Sequence, residues 1–206
     1  MKLLLLGATG RVGSNLLRLA LQDGHEVTAL VRKPEKISIT DDKLTIMEGN
    51  VVNQEDISRS INGMDMVLSA LNTDGNTTLT DSMPHIIREM ESEGIKRIIT
   101  IGTAGILQSR NNPSIYRYQS NESKRKSTRA AEEHRKVYEL LIETTLQWTI
   151  VCPTYLPDGT LTGAYRTEKT FLPEGGTNIS VQDTAHFAYN QLHSDKYVQT
   201  RVGIAY

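Results

Sequence analysis

The chain has 206 residues, a net charge of −1 and one cysteine, Cys152. This length fits one compact domain with a sizeable core, and the near-zero charge excludes a global electrostatic attraction to nucleic acid or to an anionic membrane. A lone cysteine excludes an internal disulfide and suits a reducing compartment, so we expect a cytoplasmic protein. The apolar run at residues 3–6 is far too short to span a bilayer, and no charged leader precedes a long apolar run.

Strands and helices alternate along the chain. Short apolar runs predict strands at 2–6, 26–31, 44–48, 66–70, 96–101, 147–152 and 201–205. Apolar residues at helical spacing predict helices at 11–23, about 54–61, 80–93, 128–144 and 183–193. This alternation indicates an α/β fold with a doubly wound parallel sheet, helices on both faces and a small C-terminal portion on the substrate side. We expect residues 1–206 to form a single domain.

The first strand turns through glycines into the first helix. Gly7, Gly10 and Gly13 follow the apolar residues 3–6. Gly7 allows a tight turn, Gly10 lets backbone approach a pyrophosphate, and Gly13 lets the helix pack close to the strand. Because a helix N-terminus attracts phosphates, we predict a dinucleotide-binding loop; the alternative is a glycine-rich turn without a ligand. The residues assigned to this loop are Gly7, Thr9, Gly10, Arg11, Val12 and Gly13.

The end of the second strand indicates which dinucleotide is bound. Residues 26–31 are followed by Arg32 and Lys33, where an NAD site usually places an acid. Two cations suit a 2′-phosphate, and Arg32 could grip it in a fork and stack on adenine. Arg11 could approach the same phosphate. We therefore predict that NADP(H) is preferred over NAD(H); the alternative is two solvated charges at a strand end.

The next two strand ends extend the predicted cofactor site. Asn50 follows the third strand and could bond the adenine amino group. Ala70 and Leu71 follow the fourth strand, where small residues let the cofactor ribose lie against backbone. Thr9 could bond the pyrophosphate or only the turn.

Three stretches carry a family resemblance. Residues 7–13, with the spacing G-x-x-G-x-x-G, resemble the signature of the extended and atypical short-chain dehydrogenase/reductase superfamily. Residues 146–153 and 175–185 are similar to two segments of its NmrA-like, NAD(P)H-binding branch, which includes biliverdin reductase B-like flavin reductases. The resemblance runs from residue 3 to about 190 and implies a Rossmann-type fold.

Many members of this superfamily pass protons with a Tyr-x-x-x-Lys pair. The literal match here, Tyr165 to Lys169, lies after the strand of Trp148, whereas the catalytic pair belongs on the helix before it. Alignment with relatives puts Ala130 at the tyrosine position and His134 at the lysine position. Alcohol dehydrogenation is therefore not expected. Biliverdin reductase B-like enzymes also carry a histidine at the position of His134, and there a hydride can move directly to a conjugated acceptor.

The resemblance places three candidate residues on the substrate side. Thr103 matches the catalytic serine or threonine position and could bond a substrate carbonyl or the nicotinamide amide; it could also only cap a turn. His134 could bond substrate or the cofactor ribose, or be an ordinary half-buried histidine. Tyr138 lies one turn further on the same helix face and is assigned to substrate binding.

The strand of Trp148 ends in the last group of candidates. Pro153 and Thr154 follow it, where relatives contact the nicotinamide by backbone, and Tyr155 is assigned to substrate binding. Cys152 stands where relatives often have arginine, which removes a charge near the pocket.

Two long loops, at about 105–127 and 154–180, follow strands and so lie at the carboxyl edge where ligands bind. We expect them to cover the substrate. A basic run at 123–129 is interpreted as a solvated helix start rather than a nucleic-acid contact, since two acids follow at once. No cluster of histidine, cysteine and acids has metal-ligand spacing, so we expect no metal.

These features support two functional hypotheses. The first is an NADPH-dependent oxidoreductase that reduces a small flavin or quinone-like acceptor by direct hydride transfer. The alternative is an NADP(H)-sensing regulatory protein of the NmrA-like type, which binds the cofactor without turnover.

Overall fold

The computed structural model describes residues 1–73, 75–123 and 125–206. Its strands are β1 (Lys2–Leu6), β2 (Glu26–Val31), β3 (Leu44–Glu48), β4 (Met66–Ser69), β5 (Arg97–Ile101), β6 (Gln147–Pro153), β7 (Arg166–Lys169) and β8 (Thr200–Ala205). Its α-helices are α1 (Arg11–Gln22), α2 (Gln54–Ile61), α3 (Thr78–Ser92), α4 (Arg129–Ile142) and α5 (Val181–Asn190). Each of the seven strands and five helices predicted from the sequence is present within a few residues of its expected bounds.

The strands form one sheet in the order β3-β2-β1-β4-β5-β6-β8-β7. Neighbouring strands are parallel except β7, which runs antiparallel to β8. The chain passes from β1 outward through β2 to β3, and then returns to β4 on the other side of β1. Dinucleotides bind at such a reversal of strand order, at the carboxyl ends of the strands. The predicted doubly wound, Rossmann-type fold is confirmed.

Helices cover both faces of the sheet. On one face α2, α3 and α4 bury Ile57, Met83 and Leu141; on the other α1 and α5 bury Leu16 and Phe187. Residues 3–6 of β1 are 0% exposed because both faces are covered. This explains why β1 reads as a continuous apolar run rather than as an alternating pattern. Each of these leucines contributes about 1.5–3 kcal/mol through burial.

The stretch predicted as a loop at 154–180 contains an unexpected strand, β7. Its sequence, Arg-Thr-Glu-Lys, has no apolar alternation. Pairing with β8, from Arg166 opposite Ala205 to Lys169 opposite Val202, holds it in place. Charged residues are typical of an edge strand because they discourage pairing with another chain. The other predicted loop, 105–127, includes single 3₁₀ turns at Ala104–Ile106 and Arg117–Gln119.

Among the described residues, no helix is long and apolar enough to cross a membrane.

Candidate functional site

A cleft of about 970 Å³ opens at the carboxyl ends of the central strands. It is lined by the glycine-rich loop, by the residues after β4, β5 and β6, and by the start of α4. The predicted cofactor residues that line it are Thr9, Gly10, Arg11, Val12, Ala70, Leu71, Thr103, Pro153 and Thr154. The structure thus brings together residues from four separate strand ends that the sequence assigned to one site.

The glycine-rich loop is shaped by close backbone approaches. Gly7 has φ +81°, and a Cβ there would lie 2.5 Å from the carbonyl oxygen of Ala70. A Cβ on Gly13 would lie 2.0 Å from the carbonyl oxygen of Gly7. Gly10, the residue before α1, has extended backbone, and no described side chain caps the first N–H groups of that helix. These groups are available to an anion, so the loop fits a pyrophosphate.

The predicted adenine-end residues lie beside the cleft rather than in its lining. Val31 pairs with Glu48 in register, which places Arg32 and Lys33 after one strand next to Asn50 after the other. The backbone N–H of Asn50 donates to Asp56 Oδ2 at 2.8 Å. Its side-chain oxygen accepts from its own turn, from Val52 N at 3.3 Å. Asn50 is therefore held by a local turn at the sheet edge where the sequence predicts the adenine.

Arg11 has partners that the sequence did not reveal. Its guanidinium donates to Asp158 Oδ1 at 3.1 Å and to the carbonyl oxygen of Leu156 at 3.0 Å. Both charged side chains are largely exposed, at 57% and 86%, so the ion pair itself contributes only about 0–1 kcal/mol. The structure thus joins the glycine-rich loop to the segment after β6 through Arg11, instead of directing Arg11 to the end of β2.

Thr103 lines the cleft directly after β5. Its hydroxyl oxygen accepts a hydrogen bond from Gly105 N at 3.3 Å and caps the short turn that follows. Thr103 can cap the turn and also contact a substrate or nicotinamide, because a hydroxyl that accepts one bond keeps its own hydrogen to donate. Thr103 can therefore donate to a group in the cleft while it caps the turn.

His134 reaches the cleft from α4, beside Ala130 and Ala131. Burial lowers the pKa of His134 to about 4, and the neighbouring carboxylate of Glu133 opposes this only weakly. The imidazole is therefore neutral near pH 7. A neutral histidine donates one hydrogen bond and accepts one, but it does not hold a spare proton for transfer.

Tyr138, which the sequence assigned to substrate binding, is not among the residues that line the cleft. Its ring packs edge-on against Trp148, with ring centres 5.8 Å apart, and the guanidinium of Arg201 lies 4.0 Å from its centre. Arg201 also lies 5.3 Å from the ring of Tyr116, so this buried cation sits between two tyrosines. Cation–π attraction to Arg201 of β8 stabilises the Tyr138 ring in this position.

The remaining tyrosines fall in different places. Tyr155 is 63% exposed and lines the cleft, so it stays a candidate for substrate contact. The hydroxyl of Tyr165 bonds His186 Nδ1 at 2.9 Å, and its ring packs against Phe187 of α5. Tyr165 does not line the cleft, which supports the interpretation that its Tyr-x-x-x-Lys match is accidental.

Glu122 organises the stretch at 105–127. Its carboxylate accepts hydrogen bonds from the hydroxyl of Ser109, from Asn111 N at 3.2 Å and from Arg117 Nε at 3.2 Å. Burial would raise the pKa of Glu122, but these donors outweigh it and hold the pKa below its ordinary value. Arg117 and Glu122 both line the cleft, together with Tyr118. Sequence reasoning gave no role to Glu122.

The basic run at 123–129 begins at this side of the cleft. Ser123, Arg125, Ser127 and Thr128 are in the lining. Lys124 lies outside the described residues. In the parts of the chain that are described, no three histidine, cysteine or acidic side chains come together as a possible metal site.

Comparison with known proteins places the chain among nucleotide-binding proteins. The model of a family described as NAD(P)H-binding matches residues 7–195. A provisionally named epimerase from Bacteroides thetaiotaomicron is 31% identical, with a TM-score of 0.87 over 100% of this chain and 96% of that one. A provisionally named NADH-flavin reductase from Streptococcus pneumoniae TIGR4 is 23% identical, with a TM-score of 0.83 over 100% and 99% of the two chains.

A short-chain dehydrogenase/reductase from Veillonella parvula DSM 2008, solved with NADP, is 20% identical and has a TM-score of 0.77 over 100% and 94% of the two chains. Similarity at this level shows a shared fold. The chain spans about a third of the length of the first curated relatives it matches, with 32% and 34% of their residues aligned.

Proposed function

Because the chain belongs to the NAD(P)H-binding family, we propose that it is an NADPH-dependent oxidoreductase that reduces a small conjugated acceptor, such as a flavin or a quinone, by direct hydride transfer. One observation carries this proposal. The cleft that starts at the glycine-rich loop continues to Thr103, Ala130 and a neutral His134, where a proton-relaying pair would otherwise stand.

The residues present fit a dinucleotide, because the glycine-rich loop lines the cleft at residues 9–12 and no described side chain caps the first N–H groups of α1. The N–H groups at the start of α1 would hold the pyrophosphate, and Arg32 with Lys33 would hold a 2′-phosphate. Asn50 would contact adenine. Ala70 and Leu71 would lie against the ribose, and Thr103, Pro153 and Thr154 would lie at the nicotinamide.

The bound cofactor supplies the hydride, and the chain supplies positioning. Holding the acceptor next to the nicotinamide lowers the barrier, because the entropy cost of bringing the two together is met when they bind. Thr103 donates a hydrogen bond to the acceptor or to the nicotinamide amide. His134 orients a polar group on the acceptor through its single N–H. No proton is required from a side chain, since a reduced conjugated ring takes its proton from solvent.

The names of two structurally similar proteins suggest different reactions for this chain. The flavin reductase from Streptococcus pneumoniae supports a flavin acceptor for this chain. The epimerase from Bacteroides thetaiotaomicron raises a different reaction. An epimerase that works by transient oxidation of an alcohol needs a base at the position of Ala130, so the missing tyrosine counts against that activity here.

A second candidate function is an NADP(H) sensor of the NmrA-like type. Ala130 in place of the proton donor favours it, because a cofactor site without an acid catalyst also suits binding without turnover. Oxidation of NADPH by the purified protein separates the two, measured with a panel of flavins and quinones and with the Gly10→Val variant as a control for contaminating reductases. Acceptor-dependent oxidation supports the reductase. Tight NADPH binding without oxidation supports the sensor.

We further propose that residues 1–206 act as one domain in the cytoplasm, where NADPH and reduced cysteines coexist. The lone buried Cys152 supports this compartment. The proposed partners are the nicotinamide cofactor and a small-molecule acceptor. Neither nucleic acid nor a membrane is proposed as a partner, because the net charge of −1 provides no global electrostatic attraction to either.

Replacement of Arg32 by alanine is expected to weaken NADPH binding and to leave NADH binding nearly unchanged. A charge-assisted contact to the 2′-phosphate is worth about 1.5–3 kcal/mol, which corresponds to a loss of affinity on the order of 10- to 100-fold. Fluorescence titration with both cofactors measures this. Arg18→Ala, on the exposed face of α1, is the matched control. Equal affinity of the native protein for NADPH and NADH would contradict the proposed preference.

Replacement of His134 by alanine is expected to lower turnover only about tenfold, through looser placement of the acceptor. A residue that donates the proton would contribute about 10²–10⁴-fold. Because burial lowers the pKa of His134 to about 4, the rate of the native enzyme should show no inflection from this residue near pH 6.5. Steady-state rates as a function of pH measure both effects.

Tyr165→Phe is the control, since Tyr165 bonds His186 outside the cleft. We expect it to leave turnover unchanged. A thousandfold loss at His134, together with an inflection near pH 6.5, would instead make His134 an acid catalyst. A similar loss at Tyr165 would move the active site away from the cleft.

A further inference from the structure

The segment 156–163, here called the strap, is fastened along two sides. On the cleft side, Arg11 bonds Asp158 and the carbonyl oxygen of Leu156. Leu156 also lines the cleft, as does Arg11. The strap is therefore in contact with the loop that receives the pyrophosphate.

On its other side the strap is fastened to the start of α5. Val181 N donates to Pro157 O at 3.1 Å, and the hydroxyl of Ser180 donates to Thr160 O at 3.3 Å. Leu161 N donates to Gln182 Oε1 at 2.8 Å. These bonds occur along most of the strap. The last residues of the strap bond a buried acid in α5.

That acid is Asp183, which is 0% exposed. Its Oδ1 accepts hydrogen bonds from Thr162 N at 3.0 Å and Gly163 N at 2.8 Å. Its Oδ2 accepts from the hydroxyl of Thr162 at 2.7 Å and from that of Tyr206 at 2.6 Å. The hydroxyl of Ser180 also lies 3.2 Å from Oδ2, so its single hydrogen is shared between Asp183 and Thr160 O.

The charge of Asp183 is maintained by these donors. Burial alone would raise the pKa of its carboxyl group, but the hydrogen bonds from Tyr206, Thr162 and Gly163 outweigh burial and hold the pKa below its ordinary value. A carboxylate that accepts this many bonds, two of them from backbone N–H groups, fixes the backbone that donates them. Asp183 does not line the cleft, so any effect it has on a ligand must pass through the strap.

We propose that Asp183 is a positioning residue for cofactor binding: by holding Thr162 and Gly163 it fixes the strap, and the strap in turn holds Arg11 of the pyrophosphate-binding loop through Leu156 and Asp158. The inference rests on the cofactor site of the proposed function. It assigns a role in cofactor retention to a residue that does not touch the cofactor.

The test is the dissociation rate of NADPH, measured by stopped-flow displacement from the native protein and three variants. Asp183→Asn removes the charge and one acceptor, and we expect it to raise the dissociation rate about tenfold. Thr162→Val removes one bond to Asp183 at an exposed position, and we expect a rise of about threefold. Thr160→Val is the matched control, because it makes the same change in the strap at a side chain without a hydrogen bond among those described. It should leave the rate unchanged.

A double-mutant cycle with Arg11→Ala separates positioning from a general loss of stability. If Asp183 acts through the strap, Asp183→Asn should add little to the dissociation rate once Arg11 is gone. Sites that act independently would give additive effects. Thermal unfolding, followed in parallel, reports the stability of each variant but does not distinguish the two cases.

Native dissociation rates in both Asp183→Asn and Thr162→Val would overturn the inference, as would full additivity with Arg11→Ala. If Asp183→Asn does not fold, the NADPH dissociation rates of Thr162→Val and Thr160→Val decide the test: equal rates would overturn the inference. A native protein that binds neither NADPH nor NADH would contradict the proposed function, and the inference with it. If the native protein binds NADPH and neither Asp183→Asn nor Thr162→Val changes its dissociation rate, only the inference is contradicted.

Discussion

Gly13→Ala is expected to destabilise the protein by about 3 kcal/mol or more and to abolish cofactor binding. The new Cβ would lie 2.0 Å from Gly7 O and 2.8 Å from Gly7 C, which are backbone atoms that cannot rotate away. Alanine normally stabilises a helix by roughly 0.5–1 kcal/mol relative to glycine, so the clash outweighs the gain. A domain of this size should lose roughly 6–12 °C in melting temperature.

Thermal unfolding followed by circular dichroism measures this loss. Gly10→Ala provides the comparison within the same loop, because a Cβ there would meet its nearest atom, Gly7 O, at 3.3 Å. We expect Gly10→Ala to remain close to the native melting temperature. A Gly13→Ala protein with native stability would show that α1 can move away from β1 without cost, contrary to the close packing that the loop requires.

Gly10→Val is expected to weaken NADPH binding on the order of a hundredfold or more while the fold is retained. Gly10 lines the cleft at the start of α1, and its φ of −82° suits any L residue. The isopropyl group would therefore be tolerated by the backbone but would occupy the space of the pyrophosphate. The N–H groups of the helix could then no longer reach the phosphates.

Fluorescence titration with NADPH, together with circular dichroism of the variant, tests this expectation. Gly10→Ala should show a smaller loss of affinity, since a single methyl group intrudes less. A folded Gly10→Val protein that binds NADPH as the native protein does would mean that the glycine-rich loop is an ordinary turn.

The parts of the fold that follow from local pattern could be predicted from the sequence. Residues 3–6 are buried on both faces, so their unbroken apolar run identifies β1. The spacing of Gly7, Gly10 and Gly13 reflects the close backbone approaches that the loop needs, so the tight turn from β1 into α1 was predictable as well. The polar strand β7 was not predicted, because pairing with β8 rather than its own pattern holds it in place.

Contacts between residues far apart in the chain could not be predicted. Tyr138 shares a helix face with His134, but its ring packs against Arg201, more than sixty residues away, and does not line the cleft. Arg11 meets Asp158 for a similar reason, through a loop whose path the sequence does not reveal. The local role of Asp183 at the start of α5 could have been predicted from the sequence. Ser180 and Asp183 have the spacing of a helix N-cap, and Ser180 does accept the N–H of Asp183, but its bonds to Thr162 and Gly163 have no such pattern.

Direct hydride transfer is tested most directly by a single-turnover reaction, in which excess protein with bound NADPH is mixed with a flavin or quinone acceptor and the loss of nicotinamide absorbance is followed. We predict that the acceptor accelerates the loss, and that NADPH carrying deuterium at both C4 positions reacts more slowly, because the carbon–hydrogen bond breaks in the step observed. NADPH that remains bound and unoxidised with every acceptor would contradict direct hydride transfer and would establish the site as one that binds the cofactor without turnover.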